Sequence, residues 1–276
     1  MNKILIQVEN LYFQYPGRTA NALEDVNLKI TNGEFIAIIG QNGSGKTTLI
    51  KHFNGLLKPT KGKVFIEGQE TTSLRTADLA KFIGYVFQNP DHQIFAETVR
   101  DEITFGPKNL GFPEDRINDE VTRVLKAMDL DVALDEMSFQ LSRGQRQRLA
   151  VASVLAMEPS ILIIDEPTTG QDWKESILLM KLVQHLNEKG HTCIVTTHNM
   201  NLVSLYARRV IVMKSGRIFL DGSTQDVFRR EDELLTAGIK PPDVYLLART
   251  LIPNIQLEKP LTPDGLADIL INHMDL

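Results

Sequence analysis

The chain has 276 residues, of which 42% are hydrophobic and 24% charged, and its formal net charge is −5. That length can bury a sizeable core as one large domain or a domain with an appendage, and the acidic balance argues against nucleic acid as a main partner, because binding a phosphate backbone needs clustered positive charge. A single cysteine, Cys193, excludes an intrachain disulfide and suits a reducing compartment; no apolar run reaches the roughly 18 residues of a membrane span, and Met1 to Asn10 lacks the layout of a signal peptide.

Lys3 to Val8 and Val26 to Ile30 alternate as half-exposed strands, and Asn32-Gly33 reads as a hairpin turn into a third strand, Phe35 to Ile39. Tyr12 to Gly17 is an aromatic-rich loop. A helix is expected from Lys46 to Asn54, stopped by Gly55, then strands at Lys63 to Glu67 and Phe82 to Phe87 around a short helix near Leu74 to Lys81. Gln88 to Pro159 is mostly helical, with helices predicted at Val99 to Phe105, Glu114 to Met128 and Arg143 to Met157. Ile161 to Ile164 is a four-residue apolar run bounded by prolines, which suits a strand covered on both faces. Trp173 to Glu188 reads as an amphipathic helix, Cys193 to Thr197 as a buried strand, and Val210 to Met213 with Arg217 to Leu220 as a hairpin. From Ser223 onward short helical patterns are broken by Pro241-Pro242, Pro253, Pro260 and Pro263, as in a small appended helical region.

The chemistry starts at Gly40-Gln41-Asn42-Gly43-Ser44-Gly45-Lys46-Thr47, which fills every fixed position of G-x-x-x-x-G-K-[ST] between an apolar strand and a helix. Glycines there let successive backbone N–H groups approach phosphates, and the helix start adds its positive dipole end. Lys46 is then expected to reach the terminal phosphates and Thr47 to hold Mg²⁺. Phosphoryl transfer also needs a second metal anchor and a group to orient water. Asp165, ending a buried strand, and Glu166 beside it supply those two. Ser142 before Arg143-Gly144-Gln145 is a helix N-cap and a second anion-binding helix start, though an ordinary cap explains it as well. Arg143, Arg146 and Arg148 form a basic run that spreads over more than one helix face, as a solvated or nucleotide-facing surface would.

Taken in order, these stretches resemble the nucleotide-binding ATPase subunit of an ABC transporter over about residues 3 to 222: Gly40 to Thr47 as P-loop, Gln88 as Q-loop, Leu141 to Gln145 as the LSGGQ signature, Ile161 to Glu166 as Walker B strand, Asp172 as D-loop and His198 as switch histidine. Val86 to Asp91, Gln93 to Ala96 and Phe105-Gly106-Pro107 are similar to the ATPase subunits of energy-coupling-factor importers, which take up vitamins or transition-metal ions. Arg143 departs from the first glycine of LSGGQ, and Gln171 stands where a leucine usually precedes the D-loop aspartate.

The resemblance implies an α/β P-loop NTPase fold: a RecA-like core with an antiparallel β subdomain in residues 1 to 222, an α-helical subdomain inserted at about 88 to 158, and a small helical extension, 223 to 276, as a candidate dimerisation region. It implies ATP and Mg²⁺ as cofactors, with nucleotide contacts from Tyr15, stacked on adenine, and from Gly40, Asn42, Gly43, Ser44, Gly45, Lys46, Thr47 and Thr48. Metal contacts fall to Thr47, Gln88 and Asp165, and catalytic roles to Lys46, Gln88, Glu166 and His198. Ser142, Gly144 and Gln145 are expected to reach the ATP of a second ATPase subunit placed head to tail. Further implied partners are a transmembrane coupling subunit and a substrate-binding membrane subunit, with no nucleic acid, at the cytoplasmic face of the membrane. A soluble ABC ATPase acting on ribosomes or DNA is the rival reading; it is opposed by the single phosphate loop and the lack of sustained heptads.

Overall fold

The computed structural model describes residues 3–251 and 263–274. Its strands are β1 (Ile4–Phe13), β2 (Leu23–Thr31), β3 (Phe35–Ile39), β4 (Lys61–Ile66), β5 (Gln69–Glu70), β6 (Ile83–Val86), β7 (Ile161–Asp165), β8 (Thr192–Thr196), β9 (Arg209–Lys214) and β10 (Arg217–Ser223). Its helices are α1 (Lys46–Phe53), α2 (Thr76–Leu79), α3 (Val99–Asn109), α4 (Glu114–Ala127), α5 (Arg143–Leu155), α6 (Trp173–Glu188), α7 (Met200–Tyr206), α8 (Thr224–Arg229), α9 (Glu231–Thr236), α10 (Asp243–Leu251) and α11 (Pro263–Met274). Met1, Asn2, Pro253 and Pro260, which entered the sequence reading, lie outside the described residues.

Two sheets result. One is antiparallel in the order β2-β1-β4-β5, and the other runs β10-β9-β3-β8-β7-β6, parallel except for the β9–β10 hairpin. Every residue of β3, β7 and β8 is buried, as continuous apolar runs in a sheet covered on both faces require.

The expected hairpin at Asn32-Gly33 does not exist. The turn is there, but β2 pairs with β1 while β3 lies between β8 and β9 in the other sheet. Buried and exposed residues largely alternate along β2, whereas β3 is buried throughout, so the two belong to sheets with different surroundings. β1 also runs past Val8 to Phe13. Asn10 takes a left-handed backbone (φ 45°) and the register shifts between Val8 and Leu11, after which Leu11 and Phe13 again face the core. Tyr12 and Phe13 are therefore strand, and the loop starts at Gln14.

Helices α3 to α5 stand between β6 and β7, yet their core is continuous with one face of the sheet: Ile103, Val121, Leu149 and Val151 join Val86, Leu162 and Ile164 in one buried cluster. On the opposite face, Leu49, Ile50 and Phe53 of α1 pack with Ile36, Ile38, Ile161 and the apolar side of the antiparallel sheet. A third cluster joins Phe228, Leu234, Ile239 and Tyr245 to Ala37 and Ile39 of β3 and to Val210 and Val212 of β9. The segment after Ser223 is thus fastened to the strand that leads into Gly40.

Candidate functional site

Gly40 follows β3 directly, and no other residue fits: a Cβ there would lie 2.4 Å from the Met213 carbonyl oxygen and 2.4 Å from Ser44 Oγ. The loop then turns back to Gly45, which caps α1 in a left-handed conformation (φ 106°). Lys46 is 5% exposed, and its ammonium donates to the carbonyl oxygens of Gly40 (2.9 Å) and Gln41 (3.1 Å), so the loop closes around it. Burial lowers the Lys46 pKa, while the charges of Glu166 and Asp165 pull it back up.

Asp165 ends β7 at 5% exposure and is surrounded by hydroxyl donors. Its Oδ1 accepts from Thr47 Oγ1 (3.3 Å) and Thr196 Oγ1 (2.5 Å), and its Oδ2 from the Tyr85 hydroxyl (3.0 Å). Burial, and then the Asp165 charge, push the Tyr85 phenol well above its ordinary pKa, so it remains a donor. Glu166 leaves the strand in the left-handed region (φ 45°), a conformation that costs a non-glycine residue about 1–2 kcal/mol. Its N–H is held by the Thr196 carbonyl (3.0 Å) and hydroxyl (2.9 Å) oxygens. The turn brings Glu166 Oε2 within 3.3 Å of Gln88 Nε2, 3.1 Å of Thr169 Oγ1 and 3.3 Å of His198 Nδ1.

Lys46, Gln88, Glu166, Thr169 and His198 border one cleft of about 1090 Å³, ample for a nucleotide by the usual scale of ligand pockets. Among the predicted residues, Tyr15, Gly40, Asn42, Gly43, Gly45, Lys46, Thr47, Thr48, Gln88, Glu166 and His198 line it. Ser44 and Asp165 are buried and do not line it. Tyr15 is bonded to Thr48 through their hydroxyls (3.1 Å) and stands edge-on to Phe13 (4.8 Å). Among the described residues no group of three or more His, Cys, Asp or Glu side chains could hold a metal ion. Thr47 and Asp165 offer one hydroxyl and one carboxylate, a sparse oxygen set of the kind that suits Mg²⁺ completed by water and phosphate oxygens.

Ser142, Gly144 and Gln145 are not in this cleft. They open α5 with a reciprocal capping box: Gln145 N–H donates to Ser142 Oγ (3.2 Å) and Ser142 N–H to Gln145 Oε1 (2.9 Å). Of the basic run beside them, Arg143 is exposed, as a solvated surface requires, whereas Arg146 and Arg148 are half-buried in ion pairs. Arg143 donates to the Thr169 carbonyl oxygen (2.9 Å), Arg146 pairs with Asp91 (2.9 Å), and Arg148 pairs with Glu175 (2.8 Å). Each arginine braces a different segment onto the start of α5.

Sequence reasoning missed Tyr85, Thr196 and Thr169, which hold the two acids, and Met200, Gly238, Ile239 and Lys240, which complete the cleft wall. Thr196 carried a usable signal, as a polar residue at the end of an apolar strand. Nothing in the sequence placed residues 238–240 beside Gly40.

The model of the ABC transporter family matches residues 23–169. The chain is 39% identical over 274 residues to the energy-coupling factor transporter ATP-binding protein EcfA of Methanocaldococcus jannaschii, covering 98% of each. It is similar in structure to cbiO1 of Clostridium perfringens, described as part of the ABC transporter complex cbiONQ (TM-score 0.77, 38% identity, 89% of this chain and 98% of that one). It is similar also to an ATP-binding cassette solved as a dimer in a post-hydrolysis state bound to ADP and Pi (TM-score 0.72, 31% identity, 80% of this chain and 99% of that one). Other curated relatives, putative ABC transporter ATP-binding proteins, are longer: the chain spans 43% of one and 38% of another.

Proposed function

The chain belongs to the ABC transporter family, alongside the energy-coupling factor ATP-binding proteins, and from that premise we propose that it is the ATP-hydrolysing motor subunit of an importer of the energy-coupling-factor type. The observation that carries this reading is the split between the two anion-binding helix starts. The loop from Gly40 to Thr47 shares a cleft with Glu166 and His198, while Ser142, Gly144 and Gln145 lie outside it. A second chain placed head to tail brings its signature residues to this cleft, and closure of the pair completes each site. The dimeric relative bound to ADP and Pi supports this arrangement.

Within the cleft, Lys46 and the loop N–H groups bind the phosphates, and Tyr15 stacks on the base. Thr47, Asp165 and Gln88 are the residues that would hold Mg²⁺, which when bound neutralises charge on the phosphates. Glu166 accepts the proton of the attacking water. His198, in contact with the same carboxylate oxygen, orients it toward the terminal phosphate. Residues 1–222 form the nucleotide-binding unit, and 223–276 the extension. No helix among the described residues is long and apolar enough to cross a membrane; the similarity to cbiO1, part of the complex cbiONQ, supports membrane partners, a transmembrane coupling subunit and a membrane subunit that binds a vitamin or metal ion. The chain attaches peripherally to their cytoplasmic side.

The test is Glu166→Gln, which keeps the side chain's size and removes its basicity. Phosphate release falls by about 10²-fold or more, while ATP still drives dimerisation in light scattering. Phosphate release at the parent rate would remove Glu166 as the base.

A further inference from the structure

The extension does more than pack behind the phosphate loop. Helix α9 ends in a Schellman motif: Ile239 N–H donates to the Leu234 carbonyl oxygen (2.9 Å) and Gly238 N–H to that of Leu235 (2.9 Å), with Gly238 left-handed (φ 67°). Ile239 and Leu234 are buried in the same cluster as Ile39, so the turn is anchored to β3. Gly238 lies against the phosphate loop itself. A Cβ on it would come within 1.7 Å of Gln41 Nε2 and 2.4 Å of Gln41 Cδ, and the carbonyl oxygen of Gln41 is one of the two that hold Lys46.

This seat places Lys240 on the cleft wall. Lys240 borders the main cleft together with Glu166, His198 and Met200, and it also borders an adjoining pocket of about 330 Å³ with His198, Asn199 and Asn201. Its ammonium pairs with Asp243 (2.8 Å), whose N–H donates to Asn201 Oδ1 (3.3 Å) on α7, three residues beyond His198. The pair is mostly exposed, 69% and 72% for the two side chains, so it is weak and leaves the lysine free to change partners. Lys46, by contrast, is held by two carbonyl oxygens in the cleft floor. The His198 end of the cleft already carries the Glu166 carboxylate, so a polyphosphate entering there gains from a second cation.

We propose that Lys240 is a further nucleotide-contacting residue, a cation that the extension lays at the terminal-phosphate end of the cleft in the same chain, with the contact of Gly238 on Gln41 fixing its position. The inference rests on the cleft being the nucleotide site. It makes the extension part of that site and predicts discrimination between tri- and diphosphate.

Calorimetric titration of the full chain with Mg²⁺ and either the β,γ-imido analogue of ATP or ADP tests it. Lys240→Ala weakens the triphosphate analogue about three- to tenfold and ADP less than twofold, Lys240→Arg restores binding, and Asp243→Ala leaves it intact or tightens it. Gly238→Ala, which strains the seat, produces the same selective loss; if that variant does not fold, the Lys240 variants decide alone. Lys46→Ala is the control for the site. If it abolishes binding of both nucleotides while Lys240→Ala binds like the parent, the role of Lys240 is refuted and the site stands. If Lys46→Ala also binds like the parent, the cleft is not the nucleotide site and both readings fall.

Discussion

Tyr85→Phe isolates what holds the Asp165 carboxylate. The substitution removes one oxygen atom and leaves the ring, which packs edge-on against Phe87 (5.0 Å), in place. Asp165 Oδ2 then loses its hydroxyl donor at 3.0 Å, while Oδ1 keeps Thr47 and Thr196. A hydrogen bond to a buried charged group contributes about 1.5–3 kcal/mol, and an acceptor left without its donor keeps the full cost of its desolvation. With Asp165 5% exposed, little water reaches it to compensate. The expected loss of unfolding free energy is therefore about 1.5–3 kcal/mol, read by urea denaturation without nucleotide at neutral pH. A double-mutant cycle with Asp165→Asn isolates the pair, because the two changes act on one bond and are not additive. A loss below about 0.5 kcal/mol, the scale of a surface substitution, together with additivity in the cycle, would refute the reasoning.

Two further outcomes follow from other contacts. Arg143→Ala removes the guanidinium that donates to the Thr169 carbonyl oxygen and lies against Gly170, where a Cβ would come within 2.7 Å of it; for an exposed bond worth about 0.5–1 kcal/mol, amide exchange at Gly170 and Gln171 rises about two- to fivefold, and unchanged exchange there would count against the tether. His52, fully buried, donates from Nδ1 to the Thr48 carbonyl oxygen (2.7 Å), and burial lowers its pKa. As pH falls below about 6.5 the unfolded chain takes up the proton first. The stability that neutral His52 contributes above that pH is therefore lost progressively as pH falls toward the lowered folded value. His52→Gln makes the fall in unfolding free energy between pH 7.5 and 5.5 shallower, with a remainder of the same sign from His191, whose pKa burial also lowers; an unchanged slope would dismiss His52 as a source.

The parts of the site that were legible in the sequence are those whose chemistry is local. Gly40 to Thr47 is a contiguous loop in which a backbone contact forces Gly40 and left-handed backbone favours Gly43 and Gly45, and Asp165-Glu166 follows a run of four apolar residues that announces its burial. The Asn32-Gly33 turn misled because a turn shows that the chain reverses, not which sheet the next strand joins; the choice was made by β3 being buried on both faces. The arginine run was legible only in part, for a similar reason. Spacing on a helix gives the faces, while Thr169, Asp91 and Glu175, which occupy those faces, arrive from other segments. Tyr85 and Lys240 were invisible because each acts on a group distant in sequence, Asp165 in one case and the cleft around Glu166 and His198 in the other.

Contacts between distant segments also form two routes from the Glu166 carboxylate to helix α5. Glu166 Oε2 accepts from Thr169 Oγ1, and the Thr169 carbonyl oxygen accepts from Arg143 at the start of α5. Glu166 Oε2 also accepts from Gln88, and the segment after Gln88 is fixed to α5 twice, by Asp91 with Arg146 and by Gln93 Nε2 donating to the Ala150 carbonyl oxygen (2.7 Å). Both routes meet at one oxygen atom. A change in what that oxygen binds therefore alters the restraint on both loops at once, and the loops hold the helix whose first turn lies outside this cleft. Coupling between sites requires such a physical connection but is established only by perturbing it. A glycine at position 143 has no side chain with which to hold Thr169, so loss of the arginine leaves the Gln88 route and the more distant Arg148–Glu175 pair to carry the restraint.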